Sequence, residues 1–240
     1  MKNTFIETAR VMTFRESAGV VADTVKGQPG FMVAWGLAGR GKTICSKEYN
    51  VRTPGSVYIR VFEDWTPRAM LAKICNEING MVPGRIDRAK SVLIEELDRH
   101  PRTIIMDEAD RLTNSNIEHL RDIHDETGAP IILVGEPSLY GRLTSRRRIW
   151  ERVTRVVEFG PVQTEDVMIF GRKACDLMVL PEAAVELVKR CQGSFRLLYH
   201  LMVDLERQAR ANKVQEIPLD MIKALPNRRI APTPEKEPKR

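Results

Sequence analysis

Cysteine is scarce in this chain, with four residues in 240, at positions 45, 75, 175 and 191. None belongs to a C-x-x-C pair and all lie far apart, so a zinc or disulfide framework is set aside and free thiols in a reducing compartment are expected. Histidine is as rare, and His119 and His124, five apart, do not share a helix face. No apolar stretch approaches the roughly 20 residues that cross a bilayer. The opening MKNTFIETARVM has no continuous apolar core of the kind a secretion signal carries. A protein without membrane contact, working in the cytoplasm, is therefore expected. No internal repeat is visible, which removes repeat arrays.

What is present is a chain 42% hydrophobic, enough for one sizeable core or one domain with a small satellite. The net charge of +6 favours nucleic acid or acidic partners, with an ordinary basic surface as the plainer alternative. Short apolar runs at 30–36, 56–62, 103–108 and 130–136, and a weaker one at 153–160, predict buried strands. Between them helices are predicted at 13–26, 42–50, 66–80, 85–99, 114–128 and 137–143. The 66–80 helix has Thr66 as a cap, Pro67 at its first position and a glycine at its end. Strands alternating with helices specify a parallel sheet covered on both faces. Beyond Gly160-Pro161 the strands stop, and 163–178, 181–192, 194–213 and 218–225 predict helices only. The domains expected are thus an α/β unit over 1–160, a helical unit over 161–225 and a disordered basic tail over 226–240, where five basic residues face two acidic ones.

Residues 36–43 read GLAGRGKT and match G-x-x-x-x-G-K-[ST], the P-loop, with a strand before and a helix after. Glycines let the backbone turn so that its N–H groups converge on phosphate oxygens, and the next helix points its N-terminus at the anion. The expected nucleotide contacts are Gly36, Leu37, Ala38, Gly39, Arg40, Gly41, Lys42, Thr43 and Ile44. Lys42 would reach the β and γ phosphates, and the Thr43 hydroxyl would ligate Mg²⁺. The strand IIMDE supplies a carboxylate for the metal, Asp107, followed by Glu108 to orient the attacking water. ATP and Mg²⁺ are the cofactors this pattern calls for.

The next strand ends in VGEPS, and in P-loop folds the strand beside the Asp-bearing one often presents a polar side chain to the γ-phosphate, a role for which Glu136, or Ser138, is the candidate. Arg146, Arg147, Arg148 and Arg152 follow the 137–143 helix. An arginine delivered by a neighbouring subunit neutralises the charge that builds in phosphoryl transfer, and any of these four could supply it; a solvated or DNA-facing basic surface is the alternative. Arg196, in GSFRLLYHLM, sits at a helix start, where the dipole mildly disfavours a cation, so a role at the nucleotide is preferred.

Together these residues, across about 10–225, resemble an AAA+ ATPase. The resemblance implies an α/β fold, a P-loop AAA+ parallel sheet with flanking helices, followed by a small all-α lid domain. Within AAA+, GEPSLYGRL and GSFRLLYHLM resemble the transposon target-selection ATPases of the phage Mu B type. That likeness implies Glu136 as first sensor, Arg148 or Arg152 as finger and Arg196 as second sensor. It also implies non-specific binding of double-stranded DNA, homo-oligomers in helical filaments or rings, and a transposase partner. The chain departs from that group in having its P-loop at residue 36, without the group's N-terminal helix-turn-helix extension ahead of it. DNA contact would run mainly through phosphates, with Arg85, Arg88 and Lys90 as candidates. A helicase-loading ATPase and a nucleotide-gated protein switch without DNA binding are the competing readings.

Overall fold

The computed structural model describes residues 1–2 and 4–225; the tail expected from Pro226 onward lies outside the described residues. Five parallel strands form the central sheet: β1 (Phe31–Trp35), β2 (Val57–Arg60), β3 (Ile104–Asp107), β4 (Ile131–Gly135) and β5 (Val153–Glu158). Their order is β2-β3-β4-β1-β5. In β1, β3 and β4 side chains alternate between two buried faces, which is why these strands read as continuous apolar runs, whereas the edge strands β2 and β5 are partly exposed. Phe31, Val33, Ile104, Met106, Ile131 and Leu133 face α3 (Pro67–Asn79), α4 (Ile86–Arg99), α5 (Asn114–Thr127), α6 (Pro137–Thr144) and α7 (Arg147–Trp150). Met32, Ala34, Ile105, Ile132 and Val134 face α1 (Ala9–Ala22) and α2 (Lys42–Arg52).

The helix ends follow local chemistry. Thr66 caps α3 by accepting from the Ala69 N–H, Pro67 occupies the first turn, and Gly80 closes the helix in the left-handed region. α1 differs from expectation. It starts at Ala9 rather than 13, because the Thr8 hydroxyl accepts from the Val11 N–H, and it ends at Ala22. The short α7 was not expected; it carries Arg147 and Arg148 on one turn whose Ile149 is buried. His124 joins two loops, with Nδ1 2.9 Å from the Ala129 carbonyl and Nε2 3.1 Å from that of Gln28, a structural role.

Residues 162–225 have their own apolar core. They comprise α8 (Thr164–Phe170), β6 (Met178–Val179), α9 (Pro181–Cys191), α10 (Phe195–Asn212), β7 (Glu216–Ile217) and α11 (Leu219–Lys223). Two expectations are corrected here. The helix predicted over 163–178 is regular only to Phe170, continues as one wide π turn over Gly171–Cys175, and is stopped by Asp176 in the left-handed region. The region is also not all-helical. β6 and β7 pair in parallel and bury Val179 and Ile217, but two residues per strand are too few for a period-two pattern to show.

The first residues bridge the two parts. Met1 and Ile6 pack on the C-terminal core, Phe5 packs on the α1–α2 face, and the Lys2 N–H donates to the Ala174 carbonyl at 2.7 Å. Among the described residues, no helix is long and apolar enough to cross a membrane.

Candidate nucleotide site

A cavity of about 640 Å³ opens where the C-terminal edge of the sheet meets the C-terminal helical part. Its floor is the P-loop, from Ala38 to Ile44, with Asp107, Glu108, Asp110 and Glu136 along one side. Phe5, Ile6, Phe159, Phe170, Phe195 and Tyr199 give it an apolar wall, and Arg196 stands at its rim. P-loop, acidic and arginine side chains that are more than 150 residues apart in the chain therefore share one space.

Gly39 and Gly41 have φ of +77° and +93°, a backbone conformation that ordinary side chains resist. A Cβ on Gly39 would also collide with the Ser194 hydroxyl, because the start of α10 lies on the loop. The Phe195 N–H donates to the Gly39 carbonyl at 2.9 Å, and the Arg40 guanidinium donates to the Gly193 carbonyl. Lys42 begins α2 and turns its ammonium back onto the Gly36 and Leu37 carbonyls at 2.6 and 3.0 Å. Burial lowers its pKa, opposed by the attraction of Glu136, Asp107, Glu108 and Asp110. A phosphate entering the loop would take over those carbonyl bonds and relieve the desolvated cation. Cys45, also against the cavity, has its thiol pushed up to about 12 by burial, so it is no nucleophile.

Asp107 ends β3 and is 1% exposed. Its Oδ1 accepts from the Glu108 N–H at 3.0 Å and its Oδ2 from the Tyr58 hydroxyl at 2.6 Å. Burial first, then the bond to Asp107, raise the Tyr58 pKa, so the phenol stays a donor. Glu108 has φ of 59°, a strained setting for a non-glycine residue and one that recurs at functional sites. Its carboxylate lies between Arg60, 3.6 Å away, and Arg111, 3.7 Å away. The exit of β4 is tied to this turn: the Glu136 N–H donates to Asp110 at 3.0 Å, and Arg142 of α6 donates to the Leu112 and Ala109 carbonyls.

The other candidates are distributed unevenly. Arg196 and Glu136 border the cavity. Ser138 is exposed on the first turn of α6. Arg148 is exposed on α7, whereas Arg152 is held in its own chain by two bonds to Asp125, at 3.0 and 2.9 Å, and one to the Arg148 carbonyl. Of the proposed DNA contacts, Arg85 pairs with Asp87 and Lys90 with Asp122 at 2.6 Å, while Arg88 is exposed. Tyr58, Arg60, Asp110, Arg142 and the segment ahead of α1 were not anticipated. The register of Arg60 opposite Asp107 is a pairing fact, invisible until β2 and β3 are aligned.

The donor set suits Mg²⁺ without forming a protein cage. Among the described residues no three His, Cys, Asp or Glu side chains cluster as a metal site. Thr43 and the buried Asp107 share the cavity floor instead, which fits a hard cation held by one carboxylate, one hydroxyl and substrate phosphates.

Residues 25–143 match the family described as "AAA domain". A Staphylococcus aureus relative called "Potential ATP-binding protein" is 26% identical over 129 residues, 50% of this chain and 47% of the relative, so the chain spans about half of its length. Cdc6p from Pyrobaculum aerophilum superposes with a TM-score of 0.66 at 15% identity, over 90% of this chain and 66% of that one. The Aeropyrum pernix ORC1 protein in complex with DNA gives 0.59 at 16%, over 93% and 65%. The Thermotoga maritima RuvB Holliday junction branch migration motor gives 0.57 at 17%, over 91% and 68%. With its 2-3-4-1-5 parallel sheet and its P-loop, and with residues 25–143 matching the AAA domain family, the chain has a P-loop AAA+ fold.

Proposed function

We propose that this chain binds and hydrolyses ATP with Mg²⁺ and uses the nucleotide state to assemble on double-stranded DNA. The observation that carries the reading is the single cavity that gathers the P-loop, Asp107, Glu108 and Arg196. Lys42 and the loop N–H groups hold the phosphates, and Thr43 and Asp107 hold the metal, which screens the charge on the phosphate oxygens when bound. Glu108 orients and polarises the attacking water. Its carboxylate sits between Arg60 and Arg111, at 3.6 and 3.7 Å, which hold it as an acceptor. Arg196 answers to the γ-phosphate from α10, and residues 162–225 act as a lid. Arg148, exposed and on the short α7, reaches a neighbouring subunit's nucleotide; Arg152, committed to Asp125, serves to hold α7 and α5 together.

DNA as partner is supported by the net charge of +6 and by relatives in fold whose structures are described as bound to DNA. In the finer reading, the assembled protein marks a target for a transposase, supported by GEPSLYGRL and GSFRLLYHLM. The test is steady-state ATP hydrolysis with and without duplex DNA. Stimulation by DNA that disappears in Lys42→Ala is expected. Hydrolysis indifferent to DNA would move the reading to a protein-directed switch.

A further inference from the structure

We infer that Tyr58 is a positioning residue for Asp107, fixing the carboxylate in the orientation from which it meets the nucleotide's metal. The inference rests on the ATP·Mg²⁺ reading of the cavity. Tyr58 lies in β2 and Asp107 at the end of β3, one pleat apart on the same face, since Tyr58 pairs with Ile105 and Arg60 with Asp107. The phenol donates to Oδ2 at 2.6 Å while the Glu108 N–H donates to Oδ1 at 3.0 Å. Each carboxylate oxygen keeps a further lone pair, so two tethers fix the plane of the group without using up its capacity to bind a hydrated cation.

The backbone gives the same alignment, with the Val61 N–H donating to the Asp107 carbonyl at 2.8 Å. Tyr58 is itself held, packed beside the α1–α2 core with the Lys47 ammonium 5.6 Å above its ring.

Tyr58→Phe keeps the ring and removes only the donor. The experiment titrates a fluorescent ADP analogue into the full chain, without magnesium and across a MgCl₂ series, for the parent, Tyr58→Phe, Asp107→Asn and the double variant. The expected result is a loss of about tenfold in the magnesium-dependent part of the affinity in Tyr58→Phe, with magnesium-free affinity unchanged. The double variant should be no worse than Asp107→Asn alone, as befits residues acting through one another. A Tyr58→Phe chain whose two affinities fall together has lost structure rather than metal alignment, and overturns the inference. A magnesium effect that Tyr58→Phe leaves intact overturns it too, while sparing the nucleotide reading. No magnesium effect in the parent would overturn both.

Discussion

On one wall of the cavity, Lys42 is tied to the Gly36 carbonyl just past β1, and Asp107 at the end of β3 is tied to the Glu108 N–H and to the Tyr58 hydroxyl of β2. On the other wall, α10 meets the P-loop through the Phe195 N–H on Gly39 and Arg40 on the Gly193 carbonyl, and its own apolar residues belong to a separate core. The first wall is preorganised at Asp107, whereas Lys42 would exchange its carbonyl bonds for those of an entering phosphate. The second is joined to the first by a few polar bonds and by the segment ahead of α1. Such a joint is suited to reporting what occupies the cavity, because a small change at the phosphates alters a small number of contacts.

The sharpest break of the preorganised wall is Lys42→Ala. Hydrolysis should fall by about 10²- to 10³-fold, with the melting temperature unchanged, as measured by phosphate release and calorimetry. Leu205→Ala attacks the other wall from within its core, where Leu205 is fully buried. It should cost about 2–5 kcal/mol, and hydrogen exchange should quicken across 164–223 while β1, β3 and β4 stay protected. Uniform quickening would mean that the two cores unfold as one. Arg196→Ala should leave ADP binding intact and reduce the preference for a γ-phosphate-bearing analogue roughly tenfold, the worth of one charge-assisted bond. Gly39→Ala strains the joint itself, at about 1–2 kcal/mol for the left-handed backbone, read from urea unfolding.

The smallest effect concerns Asp166, whose side chain accepts from the Gln163 N–H at 3.0 Å at the start of α8. Burial raises its pKa. The folded state therefore holds the protonated form more readily, and stability is lost as pH rises from the usual carboxylate value near about 4 through the raised one. Asp166→Asn should gain on the parent as pH rises through that window and lose the advantage below it, in thermal melts from pH 3 to pH 7.

The difference between the walls also explains what was legible in sequence. GLAGRGKT and IIMDE are contiguous, and their chemistry depends on spacing, so Lys42, Thr43, Asp107 and Glu108 could be named before any fold was known. The central strands β1, β3 and β4 were legible because strands buried on both faces of a parallel sheet leave unbroken apolar runs. Tyr58 and Arg60 were not, because their roles depend on β2 lying beside β3 in one register. The bridging segment ahead of α1 was hidden for the same reason, its partners being some 170 residues away. The π turn at Gly171–Cys175 escaped because propensity over 163–178 favours helix and tertiary contacts overrode it, and the β6–β7 pair because two residues per strand leave no periodic signal.

The central claim is that an occupied cavity switches the chain onto DNA. It is tested most directly by duplex binding, followed by fluorescence anisotropy with ATP, a slowly hydrolysed analogue, ADP and no nucleotide, at salt from about 50 to 200 mM. The account predicts tight, sequence-indifferent binding with ATP or the analogue, a steep loss with salt, and none in Lys42→Ala. Equal binding in all four nucleotide states, or none in any, would contradict it.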